Sequence, residues 1–167
     1  MKRLPGIARK LLSAMLLLGL AACGFQPRGG ITPLAGDISP LQISGIHAYS
    51  NLHKALARRL WESGITVTRD ESAATARLVI LAHETDDYVL SVDAQNRLLE
   101  VELRQTVRFK LESGGRERVA EQSVALLRIH FTPKEEVLGR NNERDRILDQ
   151  MQEELATRIV QRLARQL

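Results

Sequence analysis

The 167-residue chain predicts an α+β fold, a two-layer sandwich in which two helices pack on one face of a mixed sheet of about four strands. The middle of the chain alternates apolar and polar residues, and a period of two is typical of a strand with one buried face. Two other segments repeat apolar residues every three or four positions, which indicates amphipathic helices.

The first part of the predicted domain is a strand followed by a helix. Residues 41–46 alternate apolar with small or polar residues and predict a strand. Ser50 or Asn51 can cap a helix that runs to about Ser63. Its buried stripe is expected to consist of Leu52, Leu56 and Leu60. Residues 65–68 are all β-branched and either form a minor strand or lead out of the helix.

The centre of the chain predicts a three-stranded meander. Its strands are expected at residues 77–92, 98–112 and 116–131. The middle strand is the clearest, with one apolar face made of Leu99, Val101, Leu103, Val107, Phe109 and Leu111. Its other face carries Glu100, Glu102, Arg104, Thr106, Arg108, Lys110 and Glu112. That charged face is either a solvated sheet surface or a polar docking surface.

A long C-terminal helix is expected to complete the helical layer. Asn141 or Asn142 can cap it, with acidic residues following in its first turn. The apolar stripe of this helix is expected to consist of Leu148, Met151, Leu155, Ile159 and Leu163.

The N-terminus has the layout of a bacterial lipoprotein signal. Residues 1–22 combine a basic start, a short apolar run and small residues before Cys23, the only cysteine of the chain. The apolar run has about half of the ~20 residues that a transmembrane helix needs. We therefore expect cleavage before Cys23 and its acylation, and a flexible tether over residues 23–40, with a single α+β domain at 41–167. Gly24, rather than an aspartate, favours the outer membrane; the alternative is an ordinary signal peptide with a chance cysteine.

Composition excludes several classes of function. Residues 1–22 hold four of the 24 basic residues and none of the 20 acidic ones, so the mature chain carries 20 of each. Such a neutral chain gives no electrostatic basis for nonspecific nucleic-acid binding. No histidine or cysteine spacing suits a metal, and we expect neither a cofactor nor a catalytic constellation. Glu84, Asp86 and Asp87 form a carboxylate cluster, for which a solvated strand end is the favoured interpretation over acid–base chemistry.

Two arginines are candidates for binding an anion. Arg140 lies in the turn expected before the C-terminal helix, where free backbone N–H groups favour negative charge. Arg97 lies at the tip of the hairpin expected around residues 93–97. A surface arginine that only aids solubility is the alternative at each position.

Two segments resemble the LptE family of outer-membrane lipopolysaccharide-assembly lipoproteins. The stretch Cys23-Gly24-Phe25-Gln26-Pro27-Arg28-Gly29 is similar to the start of the mature family members. Residues 137–143, together with Met151 and residues 154–156, are similar to the last turn and helix of the family. The order strand, helix, meander, helix also fits.

The resemblance implies a protein without catalytic activity that plugs the outer-membrane β-barrel LptD, binds lipopolysaccharide and assists its insertion into the outer leaflet. It implies a ligand-binding basic residue at Arg140. A second basic position falls near the hairpin tip, where this chain has Ala94 or Asp93 and Arg97 is the neighbouring candidate. The residues then expected to face the barrel are Glu100, Glu102, Arg104 and Arg108. The localisation implied is a lipid-anchored protein of the outer membrane that faces the periplasm.

Two other functions stay open from the residues alone. The chain could be another periplasm-facing outer-membrane lipoprotein that acts as a scaffold or binding module of an envelope machine. It could also be an anchored hydrolase that uses the cluster at Glu84, Asp86 and Asp87.

Overall fold

The computed structural model describes Leu34, residues 36–131 and residues 137–167, with side chains for Leu34, 37–131 and 142–167. The described strands are β1 (Leu41–Ser44), β2 (Val67–Thr68), β3 (Ala76–Val92), β4 (Leu98–Ser113) and β5 (Arg116–Phe131). The helices are α1 (Asn51–Glu62) and α2 (Val137–Ala164). A single 3-10 turn at Gly36–Ile38 precedes β1.

The sheet is mixed, which confirms the predicted α+β class. Its five strands lie in the order β2-β1-β3-β4-β5. β1 is parallel to both β2 and β3, whereas β3, β4 and β5 form an antiparallel meander. The fifth strand is the segment that the sequence left open, because Val67 and Thr68 pair with Leu41 and Gln42.

The parallel pair β1–β3 ends where the backbone of Gly45 meets that of Ile80. Gly45 has a φ of +86°, and a Cβ at this position would lie 1.9 Å from the Ile80 carbonyl oxygen. Only glycine fits such an approach, so this residue fixes how the chain leaves β1 toward α1.

The alternation predicted for β4 is confirmed. Its odd-numbered residues from Val101 to Leu111 are buried, and the even-numbered residues between them are half-buried or exposed. Gln105 shares the buried face and is 1% exposed. Its Nε2 donates to Thr85 Oγ1 at 3.5 Å. The core face of this strand is therefore apolar except at one buried amide.

Helix α1 begins and ends close to the predicted positions. Ser50 is its N-cap, and the Ser50 hydroxyl accepts a hydrogen bond from the backbone N–H of His53 at 3.2 Å. Ser63 is the C-cap, and Gly64 follows with a φ of +87°. The predicted stripe of Leu52, Leu56 and Leu60 is fully buried.

Helix α2 begins earlier than the sequence suggested. It starts at Val137, so the prediction that Asn141 or Asn142 caps it is wrong. The start was expected at polar residues that often cap a helix, whereas the helix extends upstream of them and includes apolar residues 137–138. From its predicted stripe Met151, Leu155, Ile159 and Leu163 are fully buried, and Leu148 packs against the core.

Both helices pack on the same face of the sheet. Arg144 of α2 bonds to Asp87 of β3, and Arg162 of α2 donates to the Ser123 carbonyl oxygen of β5 at 2.9 Å. Helix α2 therefore crosses the meander from β3 toward β5. Arg58 of α1 pairs with Glu153 of α2 and ties the two helices together.

One hydrophobic core fills the space between the helices and the sheet. It includes Phe109 and Leu111 of β4 and Leu155 and Ile159 of α2. Full burial of each such side chain stabilises the fold by about 1.5–3 kcal/mol. Leu34 and Ile38 also belong to this core, so packing begins ahead of the domain boundary that the sequence placed at residue 41.

Candidate functional site

The face of the sheet opposite the two helices, here called the outer face, carries the predicted docking residues. Glu100, Glu102 and Arg104 are half-buried and Arg108 is exposed, all on the side of β4 that points away from the core. Arg104 lies between Asp86 of β3 and Leu127 of β5 in the register of the meander. The structure thus brings the four residues into one row along β4.

Opposite charges compensate each other within this row. The Arg104 guanidinium lies 3.1 Å from Glu102 Oε1 and 4.9 Å from the centre of the Tyr88 ring. Arg108 reaches Glu121 Oε1 on β5 at 2.8 Å. Exposed pairs of this kind contribute little to stability, about 0–1 kcal/mol each. The row on β4 therefore offers charges of both signs, with Glu100 and Glu102 balancing Arg104 and Arg108.

The row continues toward the other end of β4 through Lys110 and Glu112. Their charged atoms lie 2.7 Å apart. The hydrogen bond to Glu112 raises the pKa of Lys110, and the hydrogen bond from Lys110 lowers the pKa of Glu112. Both groups are solvated and stay charged across the physiological pH range.

An apolar row borders the charged row on the outer face. It consists of Leu127, Ile129 and Phe131 of β5, which are 46%, 55% and 64% exposed. These residues pair with Arg104, Glu102 and Glu100 of β4, so the apolar and charged rows run side by side. A contiguous exposed apolar patch rimmed by polar residues is typical of an interaction site.

The apolar row does not stand out in the amino-acid sequence. From residue 124 onward, apolar residues lie on both faces of β5. Val124 and Leu126 point into the core, and Leu127 and Ile129 point outward. Alternation is therefore weak in this strand. The outward-facing positions of β5 can be identified once its register with β4 is known, because they pair with outward-facing residues such as Arg104 and Arg108.

The open edge of β5 is partly occupied by arginine side chains. Arg162 donates to the Ser123 carbonyl oxygen at 2.9 Å, and Arg128 donates to the Leu127 carbonyl oxygen at 3.0 Å. Charged side chains at an edge discourage the addition of another strand. Contacts at β5 are therefore expected through the side chains of the apolar row.

The hairpin tip holds Arg97 in a network with Asp93. The Arg97 Nε donates to Asp93 Oδ2 at 2.8 Å, and its backbone N–H donates to Asp93 Oδ1 at 2.9 Å. These hydrogen bonds, the side-chain one first, lower the pKa of Asp93 to about 2. The Arg97 side chain remains 56% exposed, so an anion can reach it. Asp93 acts here as the acceptor that orients Arg97.

Arg140 lies in the first turn of α2 rather than in a turn before the helix, because α2 starts at Val137. Its side chain lies outside the described part of the chain. The backbone position keeps it near a helix N-terminus, where anions are favoured.

The carboxylate cluster is divided between the two sides of the sheet. Glu84 and Asp86 share the outer face, opposite Thr106 and Arg104 of β4. Asp87 points the other way and accepts from Arg144 at 2.9 Å. The three groups therefore do not converge on one point.

Among the described residues, no group of histidine, cysteine and carboxylate side chains is arranged to hold a metal ion. Burial lowers the pKa of His83. The pKa of His53 is also lowered, mainly by burial and to a smaller extent by the positive charge of Arg69. In the same part of the chain, neither helix is long and apolar enough to span a membrane. Cys23 and the signal at residues 1–22 lie outside the described residues.

Comparison with known proteins gives one family match. The model of the LptE lipopolysaccharide-assembly family matches residues 38–163 of the chain. A search of curated proteins finds no match.

Solved structures of several bacterial lipoproteins share the fold. Rare lipoprotein B from Shewanella oneidensis has a TM-score of 0.65 at 20% identity, over 75% of this chain and 94% of that one. A minor lipoprotein from Acinetobacter baumannii has a TM-score of 0.65 at 21% identity, over 79% and 93% of the two chains. An uncharacterised lipoprotein B from Nitrosomonas europaea has a TM-score of 0.67 at 21% identity, over 84% and 90%.

Proposed function

The chain belongs to the LptE family of lipopolysaccharide-assembly proteins, and from this membership we propose that it is an outer-membrane lipoprotein that plugs and assists the LptD β-barrel. In this role it binds lipopolysaccharide while the barrel inserts the molecule into the outer leaflet. The role requires no catalytic step.

The observation that carries the proposal is the uncovered outer face. Both helices pack on the other side of the sheet, so the charged row of β4 and the apolar row of β5 lie exposed together. The lumen of an outer-membrane barrel is polar. A plug for such a lumen needs a mixed-charge surface, with apolar contacts where the wall or a ligand is apolar.

Lipopolysaccharide contacts are assigned to Arg140 and Arg97. Guanidinium groups suit phosphate because they donate through a planar fork. Arg97 is half-exposed and already faces Asp93, so a phosphate bound there shares the guanidinium with that carboxylate. The neutral balance of 20 basic and 20 acidic residues in the mature chain avoids repulsion of an anionic ligand.

Attachment to the membrane is assigned to Cys23. A single acyl chain gives only reversible binding, whereas several chains anchor a protein stably. Removal of the thiol by Cys23→Ala is expected to release the domain from membranes that lack the barrel. Membrane fractionation followed by mass spectrometry of the N-terminal peptide checks this, and an unmodified Cys23 in the native protein contradicts it.

Photocrosslinking in cells tests the proposed use of the outer face. A photoreactive residue is placed at Arg104, Arg108 or Ile129, and the matched control is placed at Gln161, an exposed position of α2. The outer-face positions are expected to capture a barrel of LptD size and Gln161 is expected to capture it less. Capture of a different envelope protein from the outer face supports the scaffold function instead.

A further inference from the structure

Trp61 on α1 is the most exposed large apolar side chain of the described residues. It is the only tryptophan of the chain and is 73% exposed. Lys54 and Arg58 lie on the same exposed side of α1, at helical spacing from Trp61. This face does not contact the core, and it lies away from the charged row and the apolar row on the outer face of the sheet.

The chain arrives at the domain next to this tryptophan. The backbone N–H of Leu34 donates to the carbonyl oxygen of Ser63 at 3.2 Å, and Ser63 is the C-cap of α1. Trp61 therefore lies two residues from the point where the described chain first joins the fold. Cys23 precedes Leu34 by 11 residues. Such a stretch spans at most about 40 Å when fully extended.

The chemistry of this face matches the headgroup region of a bilayer. An indole ring combines an apolar body with one N–H donor and is enriched where membrane and water meet. Arg58 pairs with Glu153 of α2 and Arg59 pairs with Glu62, so the positive charge of this face outside those ion pairs is that of Lys54, which favours anionic headgroups. A short tether to a lipid anchor brings this end of the domain to the membrane surface, whereas the hairpin tip lies at the other end of the long strands.

We propose that Trp61, with Lys54 on the same exposed side of α1, docks the anchor end of the domain on the membrane surface. The proposal rests on the anchoring role assigned to Cys23. Docking there restrains the orientation of the domain about its anchor, with the hairpin tip and Arg97 at the end of the domain remote from Trp61. The occupant is the phospholipid interface itself, without the barrel or lipopolysaccharide.

Because Trp61 is the only tryptophan, its fluorescence reports on docking directly. The mature lipoprotein is reconstituted into vesicles of phosphatidylethanolamine and phosphatidylglycerol, with and without phospholipids brominated near the carbonyl end of the acyl chains. We expect Trp61 emission to shift to shorter wavelength on reconstitution and to lose most of its intensity with the brominated lipid. Emission that stays at the wavelength of a water-exposed indole and is not quenched overturns the proposal.

A second arm separates docking from natural acylation. The unacylated mature chain is coupled through the Cys23 thiol, its only thiol, to a maleimide phospholipid in the same vesicles. If Trp61 is quenched in the coupled chain but the native protein is not retained in vesicles, the result contradicts acylation of Cys23 and still supports docking of Trp61. Retention without quenching in either arm contradicts docking and leaves the anchor intact.

The matched control moves the probe along α1. Trp61→Phe combined with Tyr49→Trp places the only tryptophan at a position 65% exposed, just before the start of the helix. The 12-residue helix α1 is about 18 Å long at 1.5 Å per residue. We expect the probe at Tyr49 to remain unquenched. Equal quenching at both positions, or shielding of Trp61 only when the barrel is added, overturns the proposal.

Discussion

The apolar row of β5 supports the sharpest prediction about the partner. The triple substitution Leu127→Thr, Ile129→Thr and Phe131→Thr keeps the β-propensity of the strand and removes its exposed apolar surface. Fully burying one such side chain is worth about 1.5–3 kcal/mol. The three residues average about half-exposed, so covering the row contributes about 2.5–5 kcal/mol by the same measure. Loss of this contact is expected to weaken barrel binding by about two to four orders of magnitude, at about 1.4 kcal/mol per tenfold change.

The assay compares copurification of the barrel with the triple variant and with Leu126→Ala. Leu126 neighbours the row on the same strand but points into the core and is 2% exposed. Its truncation is expected to lower the free energy of unfolding by about 2–5 kcal/mol. The triple variant is expected to change that free energy by no more than about 0.5 kcal/mol at each exposed site. Thermal unfolding of both variants therefore separates loss of fold from loss of contact.

If the triple variant folds with nearly native thermal stability and still retains the barrel in native amounts, the apolar row is not a contact surface. A large fall in its melting temperature would instead show that the row supports the fold.

Three further predictions concern single residues. Gly45→Ala is expected to lower the free energy of unfolding by at least about 4 kcal/mol, because the added Cβ would lie 1.9 Å from a carbonyl oxygen. Gly64→Ala, where the Cβ meets open space, is expected to lower it by about 1–2 kcal/mol. Chemical denaturation measures both values, and similar losses contradict the packing argument. The hydrogen bonds of ionised Asp93 stabilise the hairpin tip above the ordinary pKa of 3.8, and this stabilisation is lost as the pH falls through about 2. An NMR titration of the carboxyl group measures this pKa, and a value near 3.8 contradicts the hydrogen-bond network. Arg140→Asp is expected to weaken lipopolysaccharide binding without lowering the melting temperature, and unchanged binding refutes that assignment.

The fold was largely predictable because its strongest signals are periodic. The alternation in β4 and the leucine stripe of α1 define a buried face with little help from the rest of the chain. The minor strand β2 could not be decided from four residues, since its existence depends on the pairing of Val67 with Leu41. The start of α2 was placed late because polar capping residues inside a helix look the same in sequence as those that begin one.

The candidate site was predictable only in part, for a related reason. The charged row of β4 follows directly from its alternation, whereas the apolar row of β5 requires the register with β4. Likewise, Arg97 was identified as a residue at a tip. Its pairing with Asp93 depends on the turn geometry, in which Asn96 has a φ of 59°. Contacts that depend on register or on turn conformation are set by the folded chain as a whole.

Affinity purification of the native lipoprotein from gently solubilised outer membranes tests the central claim most directly. The account predicts that an outer-membrane β-barrel of LptD size copurifies with the chain in stable, roughly equal amounts. A lipoprotein recovered as a monomer without a barrel, from membranes in which that barrel is present, would contradict it.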